Sequence, residues 1–202
     1  VNIKIIELGS TVRNISTGDA DFKADYIKYV LEQTFYSYIT SENEAYSSFE
    51  VNFARWTKAF YEKMLALYNN QLAAQPDDAS VLLKCGNLYL DQKNYEQAID
   101  CYDRVIALDT MLLKAYVGKG HAHRRLKHFE EALQSYQAAL TLDPHYTDAL
   151  RGEGQVYAHM RNYEQAIEKY NRVIEIAPDA AAYMDKANAY RHLKNYEDAL
   201  NA

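Results

Sequence analysis

The chain has 202 residues, of which 49% are hydrophobic and 25% charged, with only 7 Gly and 3 Pro. This balance is long and apolar enough to bury a core and excludes a disordered or collagen-like chain. A formal charge of −6 argues against a general nucleic-acid binder, and no apolar run approaches the ~18 residues needed to cross a membrane.

Residues 1–18 read as an arm or irregular segment. Residues 1–8 are a short apolar run, either a strand or an ordered arm, and residues 9–18 are a polar connection. Asn14-Ile15-Ser16 forms a glycosylation triplet, which is common by chance and idle in a cytosolic protein. The chain begins at Val1 and stops inside a helical pattern at Ala202, so it reads as a fragment and leaves a removed leader open. Residues 19–78 carry two helical stripes. The first places Phe22, Tyr26, Ile27, Val30, Leu31, Phe35 and Tyr38 on one face. The second runs through Phe49, Phe53, Trp56, Phe60, Met64, Leu67, Tyr68 and Leu72 and ends before Pro76, whose ring cannot continue a helix. Tyr68 and Pro76 align with Tyr102 and Pro144 further on, yet no turn signal separates Phe49 from Tyr61. Either a repeat has decayed here or one long helix covers both halves. The work expected of such a terminal unit is sealing the apolar face of the repeats that follow, with a private binding surface as the alternative.

From residue 79 the chain repeats itself, in copies at 79–112, 113–146, 147–179 and a partial 180–202, a period of 34, 34 and 33. Each copy contains two helical patterns joined by a short polar turn. In the first helix, Leu82, Cys85, Gly86 and Tyr89 fall at i, i+3, i+4 and i+7. Their equivalents are Tyr116, Lys119, Gly120 and His123, then Leu150, Glu153, Gly154 and Tyr157, then Tyr183, Lys186, Ala187 and Tyr190. A small residue at the Gly86, Gly120, Gly154 and Ala187 position implies a close helix crossing, because mid-helix Gly otherwise costs about 1 kcal/mol against Ala. The second helix opens on an aromatic at Tyr95, Phe129, Tyr163 and Tyr196. Ala98, Ala132, Ala166 and Ala199 follow, and a turn later Tyr102, Tyr136 and Tyr170. The chain's 19 Tyr are repeat-locked in this way and read first as packing residues with hydroxyls near water. Pro144 and Pro178 stop the second helix, and Asp109, Asp143 or Asp179 is expected to cap the next one. Cys85 and Cys101 lack paired or zinc-like spacing and read as reduced packing residues in a reducing, cytoplasmic compartment.

This pattern closely resembles the tetratricopeptide repeat, a helix-turn-helix unit of 34 residues, over three full units and most of a fourth. Departures are small. Cys85, Lys119, Glu153 and Lys186 stand where Leu is usual, Val105 and Val173 where Ala is usual, and Thr110 where Pro is usual. The resemblance implies an all-α, right-handed superhelical array of antiparallel helix pairs behind the N-terminal helical segment. It also implies a concave groove, lined by the first helix of each pair, that binds a peptide or helix of a protein partner, without catalysis or cofactor.

Helical geometry gives a candidate face without the family, since the side opposite the packing positions is left for a ligand. It carries Leu83 and Asn87 in the first repeat and Lys114, Val117, Gly118, His121, Arg124 and Arg125 in the second. The third adds Asp148, Arg151, Gly152, Gln155 and His159, and the fourth Met184, Asp185, Asn188 and Arg191. Residues 113–128 hold Lys114, Lys119, Arg124, Arg125 and Lys127 and no carboxylate, a local reversal of sign in an acidic chain. Two readings stand. Arg124, Arg125, Arg151 and Arg191 offer charge-assisted bonds to an acidic side chain or terminal carboxylate, with apolar contacts from Leu83, Val117 and Met184. Alternatively they form a solvated basic face partly neutralised by Asp148 and Asp185. Gly118 and Gly152 are expected either to face the hollow and admit a ligand backbone, or simply to be helix positions.

The five-residue clamp by which relatives hold chaperone tails would demand Lys, Asn, Asn, Lys and Arg. The first three repeats present Leu83, Asn87, Gly118, Asp148 and Gly152, and the last three Val117, His121, Gly152, Ala181 and Asp185, so that mode is disfavoured. The asparagine ladder of some long arrays is also missing, its places taken by Lys84, Gly118, Gly152 and Asp185. Gly118-x-Gly120 and Gly152-x-Gly154 lack the third glycine and preceding strand of a nucleotide loop. His121 and His123 fall on different helix faces, so no shared metal is expected. The expected function is an interaction module, adaptor or scaffold. The alternative is a regulatory or targeting domain of a larger enzyme or secretion-type assembly, and self-association through an uncapped fourth repeat is a third possibility.

Overall fold

The computed structural model describes residues 48–193, with side chains from residue 57 onward. The arm over 1–18, the stripe over 21–39, the side chains of Phe49, Phe53 and Trp56, and the second helix of the fourth repeat with Tyr196 and Ala199 lie outside the described residues. Those that are described form eight helices: α1 (Ser48–Ala74), α2 (Ala79–Asp91), α3 (Tyr95–Leu108), α4 (Leu113–Arg125), α5 (Phe129–Leu142), α6 (Thr147–His159), α7 (Tyr163–Ile176) and α8 (Ala180–His192). Of the two readings for the segment before the repeats, the single long helix holds, since α1 runs unbroken to Ala74.

The chain falls into two compact units divided between Asn94 and Tyr95, in the turn inside the first repeat. In the first unit α1 lies against α2, and Phe60, Tyr68, Leu82, Cys85 and Leu88 are buried. Asp78, which was not among the expected caps, does cap α2, its carboxylate accepting from the Ser80 and Val81 amides at 3.0 and 3.1 Å. The other aspartates do not cap. Asp109 and Asp143 sit three residues before the helix-entry residues Leu112 and Tyr146, and each folds back on the amide two residues on, Met111 or His145. Asp179 stands at the α8 entry without a side-chain bond to the helix.

In the second unit the first helices α4 and α6 are each wedged between two second helices. The sequence pattern identified one buried row per helix, but there are two. One row meets the helix's own partner: a Cβ on Gly120 or Gly154 would lie 2.5 Å from the ring of Tyr136 or Tyr170. The other meets the preceding repeat. A Cβ on Gly118 would overlap the Tyr102 ring, and one on Gly152 would lie 2.5 Å from Tyr136. Ala149 and Val156 cluster with Ala132, Tyr136 and Ala139 on this second row, and Ala182 clusters with Leu150 and Val173. First helices of successive repeats also approach one another, α4 to α6 and α6 to α8, whereas among the described residues the second helices α5 and α7 do not. The first helices therefore line the inner side of this unit.

Glu153, at a position where the family has Leu, is 1% exposed and lies 2.8 Å from the Lys169 ammonium on α7. Removing one partner of such a buried pair leaves a costly lone charge.

Each described turn from a first to a second helix passes through a left-handed residue that is not glycine: Lys93, Lys127 and Arg161, with φ of 64°, 63° and 65°. Two amides then close each helix end. Lys127 N–H donates to Arg124 O at 3.1 Å and His128 N–H to His123 O at 2.9 Å, and the other two turns repeat the arrangement. A side chain in this conformation costs about 1–2 kcal/mol, against the roughly 0.5–1 kcal/mol of extra backbone entropy that glycine loses. Lys127→Gly is therefore expected to raise stability by about 0.5–1 kcal/mol in urea unfolding, and a loss of stability would refute this balance.

Candidate functional site

The inner face of the second unit is built by α4, α6 and α8. Lys114 and Arg125 are exposed on α4, while His121 and Arg124 are half-buried. Arg151 and Gln155 are half-buried on α6, and Met184, Asn188 and Arg191 are exposed on α8. Leu83 and Asn87, both half-buried, belong to α2 in the other unit. Lys119 points away from the face and pairs with Asp103 of α3 at 2.6 Å.

Three expectations for this face do not hold. Val117 is 6% exposed, because it is part of the core around Tyr136 and Ala149, so it offers no apolar contact to a ligand. Gly118 and Gly152 do not open onto the hollow either, since each is covered by a tyrosine ring of the preceding repeat. The ligand-facing strip is consequently narrower and more polar than helical periodicity suggests.

Two polar clusters occupy the strip. In the first, Tyr136 Oη and His121 Nδ1 share a hydrogen bond of 2.7 Å whose direction is set by the histidine tautomer. Arg124 Nη1 donates to His159 Nε2 at 3.5 Å, and Arg124 Nε is buried without an acceptor. His159 in turn stacks on Phe129, ring centres 6.0 Å apart and nearly parallel. In the second cluster, Arg151 Nε donates to Asp185 Oδ2 at 3.0 Å and Gln155 Nε2 donates to the same oxygen at 3.1 Å. Arg151 Nη1 lies 3.8 Å from Asp179. Among the described residues, Lys114, Arg124, Arg125 and Arg191 have no carboxylate within pairing distance.

The charges act on the ring groups. Burial, then Arg124, Arg125 and Arg151, push His121 down to about 3, so it is neutral across the physiological range. His159 is lowered by burial and by Arg124, Arg125 and Lys127. Burial raises the Tyr136 phenol to about 12 and the Cys101 thiol to about 11, which keeps that cysteine protonated. Among the described residues no cluster of His, Cys, Asp and Glu is placed to hold a metal ion, and no helix is long and apolar enough to cross a membrane.

Sequence reasoning placed His159 on the candidate face but treated Tyr136 only as a packing residue. The signal was the period itself: the second-helix tyrosines recur 34 residues apart, and a hydroxyl at the end of a buried ring must emerge on one face.

The tetratricopeptide repeat pattern matches residues 117–181 and, separately, 79–109. The solved structure of MamA is 30% identical, covering 72% of this chain and 85% of its own, with a TM-score of 0.63. The first tetratricopeptide domain of human RPAP3 is also 30% identical, over 61% of this chain and 98% of its own, with a TM-score of 0.56. The chain belongs to the tetratricopeptide repeat family. A Thermus thermophilus repeat protein, TTC0263, shares the fold at 18% identity and a TM-score of 0.63. A comparison with curated proteins finds no match. Membership makes the chain an all-α repeat array and a protein–protein interaction module, a fold that typically scaffolds rather than catalyses.

The depressed histidines are expected to tie the stability of this array to pH. A histidine whose folded pKa is depressed binds fewer protons folded than unfolded, so its stabilisation is present above the ordinary value of 6.5 and lost as pH falls toward 3. Melting temperature is expected to fall between pH 7.5 and 5, with each such histidine contributing at most roughly 1.4 kcal/mol per pH unit. His121→Asn is expected to flatten that slope, and an unchanged slope would remove His121 from the explanation.

Proposed function

We propose that the inner face of α4, α6 and α8 binds an extended or helical segment of a protein partner through the partner's acidic side chains or terminal carboxylate. The observation that carries this reading is the state of Arg124. Its guanidinium is half-buried beside Tyr136 and His159, its Nε has no acceptor, and no carboxylate among the described residues pairs with it. A charged donor held in this way retains bonding capacity that an incoming carboxylate would satisfy with bonds stronger than neutral ones. Arg125, Lys114 and Arg191 extend the positive strip, and Met184, 66% exposed, adds an apolar contact at its edge. Asn188 can accept or donate beside it. The overall charge of −6 works against general nucleic-acid binding, whereas a short acidic segment meets the strip locally.

A peptide array spanning acidic, neutral and basic sequences tests the reading. The whole chain is expected to retain peptides rich in Asp and Glu. Arg124→Glu/Arg125→Glu, with unchanged helicity and melting, is expected to bind them about 10-fold more weakly or worse, a difference of ~1.4 kcal/mol. Equal retention by the charge-reversed protein would end the proposal. Binding to the wild type should also weaken from low to high salt.

A further inference from the structure

In the repeat register, Asp185 of α8 stands where α4 and α6 carry Gly118 and Gly152. Those two glycines are covered by the Tyr102 and Tyr136 rings of the preceding second helix. The corresponding ring in front of α8 is Tyr170, which feels the Asp185 charge. The fourth repeat has thus exchanged the packing residue of its predecessors for a carboxylate, and that carboxylate turns along the inner face to α6. One oxygen of it receives both Arg151 Nε–H at 3.0 Å and Gln155 Nε2–H at 3.1 Å. Its side chain keeps 25% exposure, and that of Arg151 keeps 36%, so the pair is reachable from solvent.

An arginine and a primary amide converging on one carboxylate oxygen is the donor set that a carboxylate ligand requires. We infer that Arg151 and Gln155 form a carboxylate-binding subsite that Asp185 fills as an internal stand-in, and that an acidic side chain of the partner segment displaces it. The inference rests on the proposed acidic-segment reading of the same face. It divides that face into a vacant half, at Arg124 and Arg125, and a half that the chain's own aspartate guards. The guard acts as a filter. A segment with one carboxylate engages the Arg124 end alone, while a segment with a second carboxylate at the right spacing competes with Asp185 for the other end. Such competition lowers the affinity of segments that must displace Asp185 to use the second end and leaves segments held at the Arg124 end alone little changed.

The test uses the whole chain and an N-terminally fluorescein-labelled hexaglutamate peptide, read by fluorescence anisotropy at low salt, with melting curves for every variant. Asp185→Asn is expected to bind the peptide about 5-fold tighter or more than the wild type, and Asp185→Gly, which restores the residue of the two preceding repeats, is expected to do the same. Glu168→Gln makes an equal change in net charge on the exposed surface of α7, away from the inner face, and should gain less than ~2-fold. The gain should vanish in Asp185→Asn/Arg151→Gln. If neither Asp185 variant binds tighter, or the gain survives loss of Arg151 or is matched by Glu168→Gln, the stand-in is refuted. Arg124→Glu/Arg125→Glu separates the two ideas. Weakened binding there with no gain from Asp185 variants overturns the stand-in alone, while undiminished binding there, or no binding by either wild type or Asp185→Asn, overturns both.

Discussion

Tyr136 is held between two glycines that belong to successive repeats. Gly120 on α4 and Gly152 on α6 each leave a gap the size of a side chain, and one phenol ring fills both. Two glycines inside helices cost about 1 kcal/mol each against alanine, and a fully buried ring returns roughly 1.5–3 kcal/mol of apolar burial. The exchange is near balance in energy, but not in geometry. A rigid ring clamped from both sides fixes the distance and rotation between one repeat and the next, and Tyr102 against Gly118 and Tyr170 against Gly154 extend the device along the unit.

This interlock connects the core to the surface chemistry. Because the ring is fixed, its hydroxyl emerges at a set point on the inner face, where it meets His121 at 2.7 Å. His121 stays neutral there under the influence of burial and three nearby arginines. A neutral imidazole and a protonated phenol place no charge beside Arg124, so it is neither repelled, as by an imidazolium, nor compensated, as by a phenolate. The basic character of the strip thus depends on which groups around it are kept uncharged, as well as on the arginine count of α4.

Much of the fold was legible. The 34-residue period located every described helix of the array, and the aromatic that opens each second helix falls on its first residue at Tyr95, Phe129 and Tyr163. The less legible features come from helices seen in isolation. Periodicity finds one apolar stripe, and positions 118 and 152 fell on the side opposite it, so they were assigned to the hollow. In the structure a neighbouring second helix occupies that side, and Val117 is buried with them. Lys93, Lys127 and Arg161 gave no sign of left-handed backbone, since none is Gly or Asn. The aspartates before the helices looked like caps because their type is right, yet Asp109 and Asp143 lie too early in the turn to reach the helix amides. At the site, charge reversal in α4 was visible from sequence. That Arg151 is already engaged by Asp185, while Arg124 is not, depends on inter-repeat distances that no local pattern contains.

The interlock between Tyr136 and its glycines is tested most directly by a double-mutant cycle on the stability of the whole chain in urea. Gly152→Ala alone should destabilise by about 1–2 kcal/mol, the strain of overpacking exceeding the helix-propensity gain. In a Tyr136→Leu background the same substitution should become neutral or stabilise by up to about 1 kcal/mol, giving a coupling of at least ~1 kcal/mol. An equal cost in both backgrounds would mean that the ring does not set the spacing between repeats.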